Sequence, residues 1–488
     1  MGRPTVGNST GVRPGGPNLG QQAQRPGFGN GPPHSGPVPP SKEFAGRVGP
    51  AGSREVHAAN GAVLRARPNG SIADIHDARR GMDIHRGLNG NRVVVVERPD
   101  HSRVFGGRGV RPYVQHPYIF QGREFGHRSY VVNGRVYDRF YRRYPYRGAY
   151  YDVYAPTRYY PPGFYGWAYN PWARPVPYAW GWGGNPWYGY YGYYFTPYPV
   201  YASASFWLTD YLIAQSLQAA YANAHSGPPP AAGGAPVLTP DVKQMIADEV
   251  KRQMEQETAE AQANQQHHDA DPAAGAIGQL LNDNQPHVFV AGSDLDLVDP
   301  TGRECMISQG DVVQVVGAPT ADSATAVVLA SKGGTECAPA ASVSIAVADL
   351  QEMHNHMRET VDQGMADLQA KQGQGGLPVA PPDATGAPVQ AAFVAGAPPP
   401  DANAGTEIAQ QTQVADQAEQ SAQGAVGQAP AVAGAGAAPV QISLGQPIDA
   451  VTAQLGSPTR IVDLGAKKIY NYPDMKIVFT NGQVSDVQ

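Results

Sequence analysis

Cysteine is nearly absent: Cys305 and Cys337 are the only two in 488 residues. With no Cys-x-x-Cys pair and no Cys/His cluster at zinc spacing, the chain shows no metal site and calls for no cofactor. Apolar runs are short, and none reaches the ~18 residues of a membrane-spanning helix. Charged residues are only 16% of the total, and lysine is almost missing from the first third. Met1–Pro50 holds no apolar run of about 7–15 residues and no lipid-attachment cysteine, so no export signal is present in the given sequence. Enzyme signatures are missing too. There is no G-x-S-x-G, no Cys/His dyad, and no Gly-rich loop ending in Lys-Ser/Thr. The reading is non-enzymatic.

What is present is glycine (58) and proline (46) in excess, clustered in particular segments. Charge is also divided unevenly. Residues 1–174 carry 25 Lys/Arg against 10 Asp/Glu, while the rest carries 11 against 31. Twenty-four of those first 25 are Arg, which prefers planar and aromatic partners as well as anions. Such a half suits nucleic acid, anionic lipid or acidic glycan, and equally the chain's own acidic half. The two cysteines are 32 apart inside one candidate module, and a structural disulfide is the better reading. That implies an oxidising compartment.

Taken in order, the chain reads as multidomain and mixed. Residues 1–54 lack the apolar side chains to offset backbone entropy and read as disordered. Residues 55–224 read as a β-hairpin and aromatic-rich domain ending in a helix. Its punctuation is Asn60-Gly61, Asn69-Gly70, Asn89-Gly90 and Asn133-Gly134, pairs that tolerate the positive φ of type I′ turns. The last predicts Val131 opposite Val136 and Tyr130 opposite Tyr137. Val93–Val96 is the expected buried strand, and Ser205–Asn223 the closing helix, with Asp210 its only charge. After a linker (225–237), an amphipathic helix is predicted at 238–266. Thr239 is its N-cap, Pro240 its first residue, and Val242, Met245, Ile246, Val250 and Met254 its narrow stripe. A narrow stripe suits a helix pair, so self-association through this helix is an expectation. Residues 286–347 alternate strands and turns as a small antiparallel β-barrel would, SH3-like by pattern alone. A helix follows at 348–371, then a disordered Ala/Gly/Pro linker at 372–440.

Order returns at 441–488, where Leu444-Gly445, Val451, Leu455-Gly456-x-Pro458, Tyr470-x-Tyr472, Val478-Phe479 and Gly482-x-Val484 occur in sequence. This segment resembles the SmpA/OmlA family, small outer-membrane lipoproteins associated with β-barrel assembly. The resemblance implies a helix-plus-sheet (α+β) module and an envelope location, but not the assembly activity. The whole layout also resembles uncharacterised Tyr/Trp-rich secreted bacterial proteins.

The remaining feature with ligand-binding character is the stretch Tyr159–Tyr211, which holds all six tryptophans. Trp167, Trp172, Trp180, Trp182 and Trp187 are candidate stacking platforms for sugars or nucleobases. Internal packing against the Arg-rich strands is the competing reading. His354 and His356 are two apart on a helix and read as surface residues on different faces; His267-His268 read as exposed. Asp294/Asp296 read as a solvated turn. The resulting expectation is a non-enzymatic structural or interaction protein of the cell envelope: periplasmic, outer-membrane associated or secreted. Its partners would be envelope proteins or cell-wall or surface glycan. Glycan or peptidoglycan binding through the aromatic stretch and SH3-like module is the alternative, and nucleic-acid binding by the Arg/Tyr-rich half a more remote one.

Overall fold

The structure, a computed structural model, describes residues 44, 46–58, 60–223, 237–266, 271–320, 322–334, 336–428, 446–448, 451–452, 460–463, 467–471 and 476–487. Most of the 1–54 segment, nearly all of the 225–237 linker and His267-His268 lie outside these residues. The chain forms two compact units: one made by residues up to His57 with Gly61–Gln420, the other by Ala58–Asn60 with Ser421–Gln488.

The first unit is built on a ten-stranded antiparallel meander in chain order. Its strands are β1 (Arg54–His57), β2 (Val63–Ala66), β3 (Ile72–Asp77), β4 (Met82–Arg86), β5 (Arg92–Glu97), β6 (Arg103–Arg108), β7 (Tyr113–Phe120), β8 (Arg123–Val132), β9 (Arg135–Tyr146) and β10 (Ala149–Ala155). Turn chemistry sets the register. At Asn133-Gly134 both residues have positive φ (51° and 73°), giving the two-residue turn that places Val131 opposite Val136 and Tyr130 opposite Tyr137. Asn69-Gly70 and Asn89-Gly90 depart from that expectation, since only their glycines have positive φ. Each ends a three-residue loop closed by paired backbone bonds, Arg67 N to Ser71 O (2.8 Å) and Gly87 N to Asn91 O (2.9 Å). The Asn side chain accepts from the amide two residues on (2.9 Å in both), which holds it out of the left-handed region. Pro99-Asp100-His101 repeats the device without any glycine, His101 taking φ 65°. Of the run Val93–Val96, the last three are buried as predicted, and Val93 is half-buried.

Beyond β10 come β11 (Arg158–Tyr159), α1 (Pro162–Tyr169), α2 (Pro186–Tyr190), α3 (Ala204–Asn223), α4 (Pro240–Gln265) and α5 (Ile277–Leu280). The six-stranded antiparallel sheet has the order β12-β15-β16-β17-β13-β14. Its strands are β12 (Val288–Val290), β13 (Leu295–Val298), β14 (Glu304–Ile307), β15 (Val312–Val316), β16 (Ser323–Ala330) and β17 (Ser342–Ala346). All six lie within the predicted 286–347 module. The Cys305–Cys337 disulfide is formed, with Cα atoms 5.0 Å apart. Helix α6 (Val347–Lys371) then buries Leu350, Met353, Met357, Val361, Met365 and Leu368. Thr239 caps α4 as expected, its hydroxyl accepting from the Val242 amide (3.3 Å).

Two expectations about modularity are corrected. The α4 stripe is filled from within the chain: Val242, Ile246, Val250 and Met254 enter one core with α1, α3 and α6. Its other faces bury Lys243, Glu249, Glu257 and Glu260, so it is a core helix rather than a coiled-coil strand. The span 372–428 is no linker either. It holds β18 (Val389–Gln390), which pairs with β11, then α7 (Ala392–Ala395) and α8 (Ala404–Gln428). A few anchors fix it: Leu377, Ala384 and Phe393 are buried, and Phe393 stacks on Phe125 at 4.9 Å. Small residues let the backbone approach closely, as where a Cβ on Gly163 would meet the Asp383 carbonyl at 2.6 Å. Low apolar content is no sign of disorder where a preformed groove receives the few apolar side chains.

Strand β10 would leave an open sheet edge, and α6 closes it. The Asn355 side chain accepts from Tyr154 N (2.9 Å) and donates to Asp152 O (2.7 Å), the two bonds that an eleventh strand would make. Arg358 adds a bond to Tyr154 O (3.3 Å).

The second unit contains a four-stranded antiparallel meander of β19 (Arg460–Asp463), β20 (Lys467–Asn471), β21 (Lys476–Thr480) and β22 (Gln483–Val487). Val451, Ile477, Phe479 and Val484 form its core, and Asn481-Gly482 turns with φ 52° and 81°. Gly445, Gly456, Pro458 and Tyr472 lie outside the described residues.

Candidate functional site

Prolines break the Tyr159–Tyr211 stretch into short turns around α1 and α2, so its rings cannot pack by a helical or strand period. They pack on one another instead. Trp182, Trp180, Trp207 and Tyr211 form a continuous stack. Centroid separations are 4.3, 4.7 and 5.5 Å, with interplanar angles of 16°, 23° and 19°. The stack runs inward from half-buried Trp182 and Trp180 to fully buried Trp207. Trp187 meets Trp182 edge-on at 5.4 Å and is buried, while Trp167 stacks on buried Trp172 at 5.7 Å and is itself half-buried. The five candidate tryptophans therefore fall into two groups. Trp172 and Trp187 belong to the core, whereas Trp167, Trp180 and Trp182 keep part of their surface in solvent. Around Trp182, Gly181, Gly183, Gly184 and Asn185 are exposed.

The stack is pinned from below by a polar node that the sequence signals only through a lone charge. Asp210 on α3 has no exposure, and it accepts from Tyr201 Oη (2.7 Å) and Tyr198 N (2.6 Å). Tyr201 in turn accepts from Trp180 Nε1 at 2.6 Å, fixing the indole's rotation. Lys243 of α4 completes the node, 2.7 Å from Asp210 and 3.6 Å from the Tyr198 ring centroid. Burial pushes the Asp210 carboxyl up and the Lys243 ammonium down, against their mutual attraction.

The Arg-rich sheet is largely neutralised by the acidic half of the same chain. Arg67 holds Glu304 (2.7 Å) and Asp296 (2.9 Å), Arg47 holds Asp349 (2.6 Å), and Arg111 and Arg139 share Glu359 (2.6 and 2.7 Å). Arg128 is fully buried, forked onto Glu352 (2.9 and 3.0 Å) with its guanidinium 3.8 Å from the Tyr141 ring centroid and 4.5 Å from that of Tyr113. Burial alone would raise Glu359, but Arg111 and Arg139 outweigh it and hold the carboxyl at about 2. Along α8, Glu407 meets Arg98, Asp416 meets Arg92 (3.0 Å), and Glu419 meets both Arg92 (3.0 Å) and Arg86. Each pair spans more than 200 residues of sequence, beyond any local pattern.

Four side chains read as exposed or solvated are not so. His354 is 1 % exposed on α6, and burial pushes its imidazole down to about 3. His356 is half-buried, 3.2 Å from Ser216 Oγ, and its imidazole is likewise pushed down by burial, to about 4. Asp296 is 2.9 Å from Arg67 and 3.2 Å from His85, in a bracket joining β13 to β4. Asp294 accepts from Asn89 at 2.6 Å, so this pair is a sheet-to-sheet fastener rather than a solvated turn.

Among the described residues, one group of His and carboxylate side chains could ligate a metal: His116, Asp401 and Glu407, with ligand atoms within 4.8 Å of one another. A second polar cluster lies in the core. There Arg358 bonds Glu260 (3.0 Å), Glu257 is pushed by burial up to about 8, and Asp362 accepts from Tyr154 Oη (3.0 Å). It is closed off between α4, α6 and β10. Comparison of the chain with family models, curated proteins and solved structures finds no match.

Proposed function

We propose that this chain is a non-enzymatic structural or interaction protein of the bacterial cell envelope, acting outside the cytoplasm. The observation that carries the reading is the Cys305–Cys337 disulfide, which ties β14 to the segment that follows β16. Disulfides of this structural kind persist in oxidising compartments. No helix among the described residues is long and apolar enough to cross a membrane. The four-stranded C-terminal meander supports an SmpA/OmlA-like module, and the six-stranded sheet at 286–347 supports an SH3-like one, each as a proposed likeness. Intramolecular pairing of so many arginines weighs against nucleic acid as the partner, because counterion release needs cations free to meet phosphate. Cell fractionation with thiol alkylation tests the reading. Recovery in the envelope or medium with both cysteines protected from alkylation is expected; a cytosolic pool with both thiols freely alkylated overturns it.

A second reading has its own observation. The outermost indole of the stack, Trp182, is half-buried beside exposed glycines, and its solvent-facing part can contact a sugar ring. Glycan or peptidoglycan binding would then use Trp182 first, with Trp180 stacked behind it and half-buried Trp167 as a separate candidate. Retention on purified sacculi or exopolysaccharide should fall at least tenfold in Trp182→Ala and stay unchanged in a variant of buried Trp187 that remains folded. Equal retention by Trp182→Ala and wild type removes this reading.

A further inference from the structure

We propose that His116, Asp401 and Glu407 form a divalent-cation site, of the type that takes Zn²⁺, at the junction of β7 with the start of α8. The three side chains come from separate places: His116 from the middle of β7, Asp401 from the turn before α8, and Glu407 from the first turn of that helix. No spacing in the sequence brings them together. In the fold their ligand atoms lie within 4.8 Å of one another.

Asp401 is already oriented for the task. Its amide donates to Ser129 Oγ (3.0 Å), and that hydroxyl donates to Asp138 Oδ1 (3.2 Å). One carboxylate oxygen, Oδ1, accepts from Asn403 N (2.8 Å), which leaves Oδ2 facing His116 Nε2 at 3.0 Å. Outer partners that fix a carboxylate in this way are a regular part of metal sites. His116 is 42 % exposed, so an ion and its water have a path in, while Asp401 (17 %) and Glu407 (20 %) are partly shielded. Arg98 contacts Oε1 of Glu407, so a cation would take the other oxygen and share the carboxylate.

One imidazole nitrogen and two carboxylates suit Zn²⁺ with water in the fourth position. Bonds of about 2.0–2.1 Å place tetrahedral ligands ~3.3 Å apart, so the widest pair must close by at most about 1.5 Å. Rotation of the half-exposed His116 ring and of the Glu407 chain covers that distance. The ion would replace one His–Asp hydrogen bond with three coordinate bonds and fasten α8 to the sheet. This site does not depend on the envelope reading.

The test uses the full chain, freed of metal with a chelator and titrated with Co²⁺ as a spectroscopic probe, then with Zn²⁺ in competition. One equivalent with visible tetrahedral absorption, displaced by Zn²⁺, is expected. His116→Ala and Glu407→Gln should each weaken binding more than tenfold. The size-matched Glu407→Gln decides alone if His116→Ala loses the wild-type far-UV spectrum. Absence of saturable binding below about 100 μM overturns the proposal, as does binding that both folded variants leave unchanged.

Discussion

Single buried residues set how stability responds to pH. Burial is the main reason that His354 is pushed down, with Arg358 and His287 acting the same way and Glu249 opposing. An unfolded histidine titrates near about 6.5. Because the folded value is lower, the stabilisation from His354 is fully present above that pH and is lost as pH falls towards 3. At ~1.4 kcal/mol per unit this amounts to at most about 4–5 kcal/mol. His85 has the opposite sign. Burial would lower it, but hydrogen bonds to Asp296 and Asp74 outweigh that and raise it. Its contribution is complete below about 6.5 and is lost as pH rises through its folded value. The urea midpoint should therefore drop on both sides of neutrality. His354→Leu should flatten only the acid limb and His85→Gln only the alkaline one, as denaturation series at stepped pH will show. Arg128 gives a third outcome. Lysine cannot lie flat between Tyr113 and Tyr141 while forking onto Glu352, so Arg128→Lys should cost about 2–4 kcal/mol in equilibrium unfolding.

Among the elements, α8 differs from the other long helices in what holds it. Its buried apolar side chains within 404–420 are the alanines Ala404, Ala415 and Ala418, and its strong contacts are ion pairs to β4, β5 and the β5–β6 turn, those of buried Glu419 included. The pairs with a solvent-facing member, Arg86, Arg98 or Asp416, weaken as salt shortens the screening length to ~3 Å at 1 M. Amide hydrogen exchange within 404–420 should speed up several-fold between 0.05 and 0.5 M salt, while α6 stays protected. Glu419→Gln should produce the same change at low salt, since that carboxylate serves both Arg86 and Arg92. This helix also marks the limit of local pattern. α4 was legible from a cap and an apolar stripe, α6 from its stripe alone, and the β8–β9 hairpin from Asn-Gly. The Ala/Gln run of α8 carries helix propensity but no stripe, so composition alone reads as linker. Its docking is written in arginines more than 300 residues earlier.

Across the whole molecule, the boundary between basic and acidic halves is a folding instruction rather than a division between modules. Sequence segments that read as separate domains meet through Arg67, Arg111, Arg128 and Arg139, and 44–420 closes as one unit apart from the 58–60 turn. Within it the aromatic stretch was visible by composition, yet the setting of Trp180 depended on Tyr201 and a node of Asp210 and Lys243, 33 residues apart in sequence. Reduction of Cys305–Cys337 reopens a loop of about this same length. Chain entropy puts its worth at roughly 3–4 kcal/mol, so reductant should lower the thermal midpoint reversibly, as scanning calorimetry with and without dithiothreitol will report.

Asn355 bears on how such a molecule can change over generations. A meander lengthens by copying a hairpin, and each copy needs a neighbour with free backbone groups to receive it. At β10 those groups are already taken by one amide side chain, so a duplicated hairpin there would have to evict α6 from the core. Gains and losses of hairpins among descendants of this chain should fall upstream of β10, leaving the strand that meets Asn355 as the fixed end of a sheet whose other strands are open to revision.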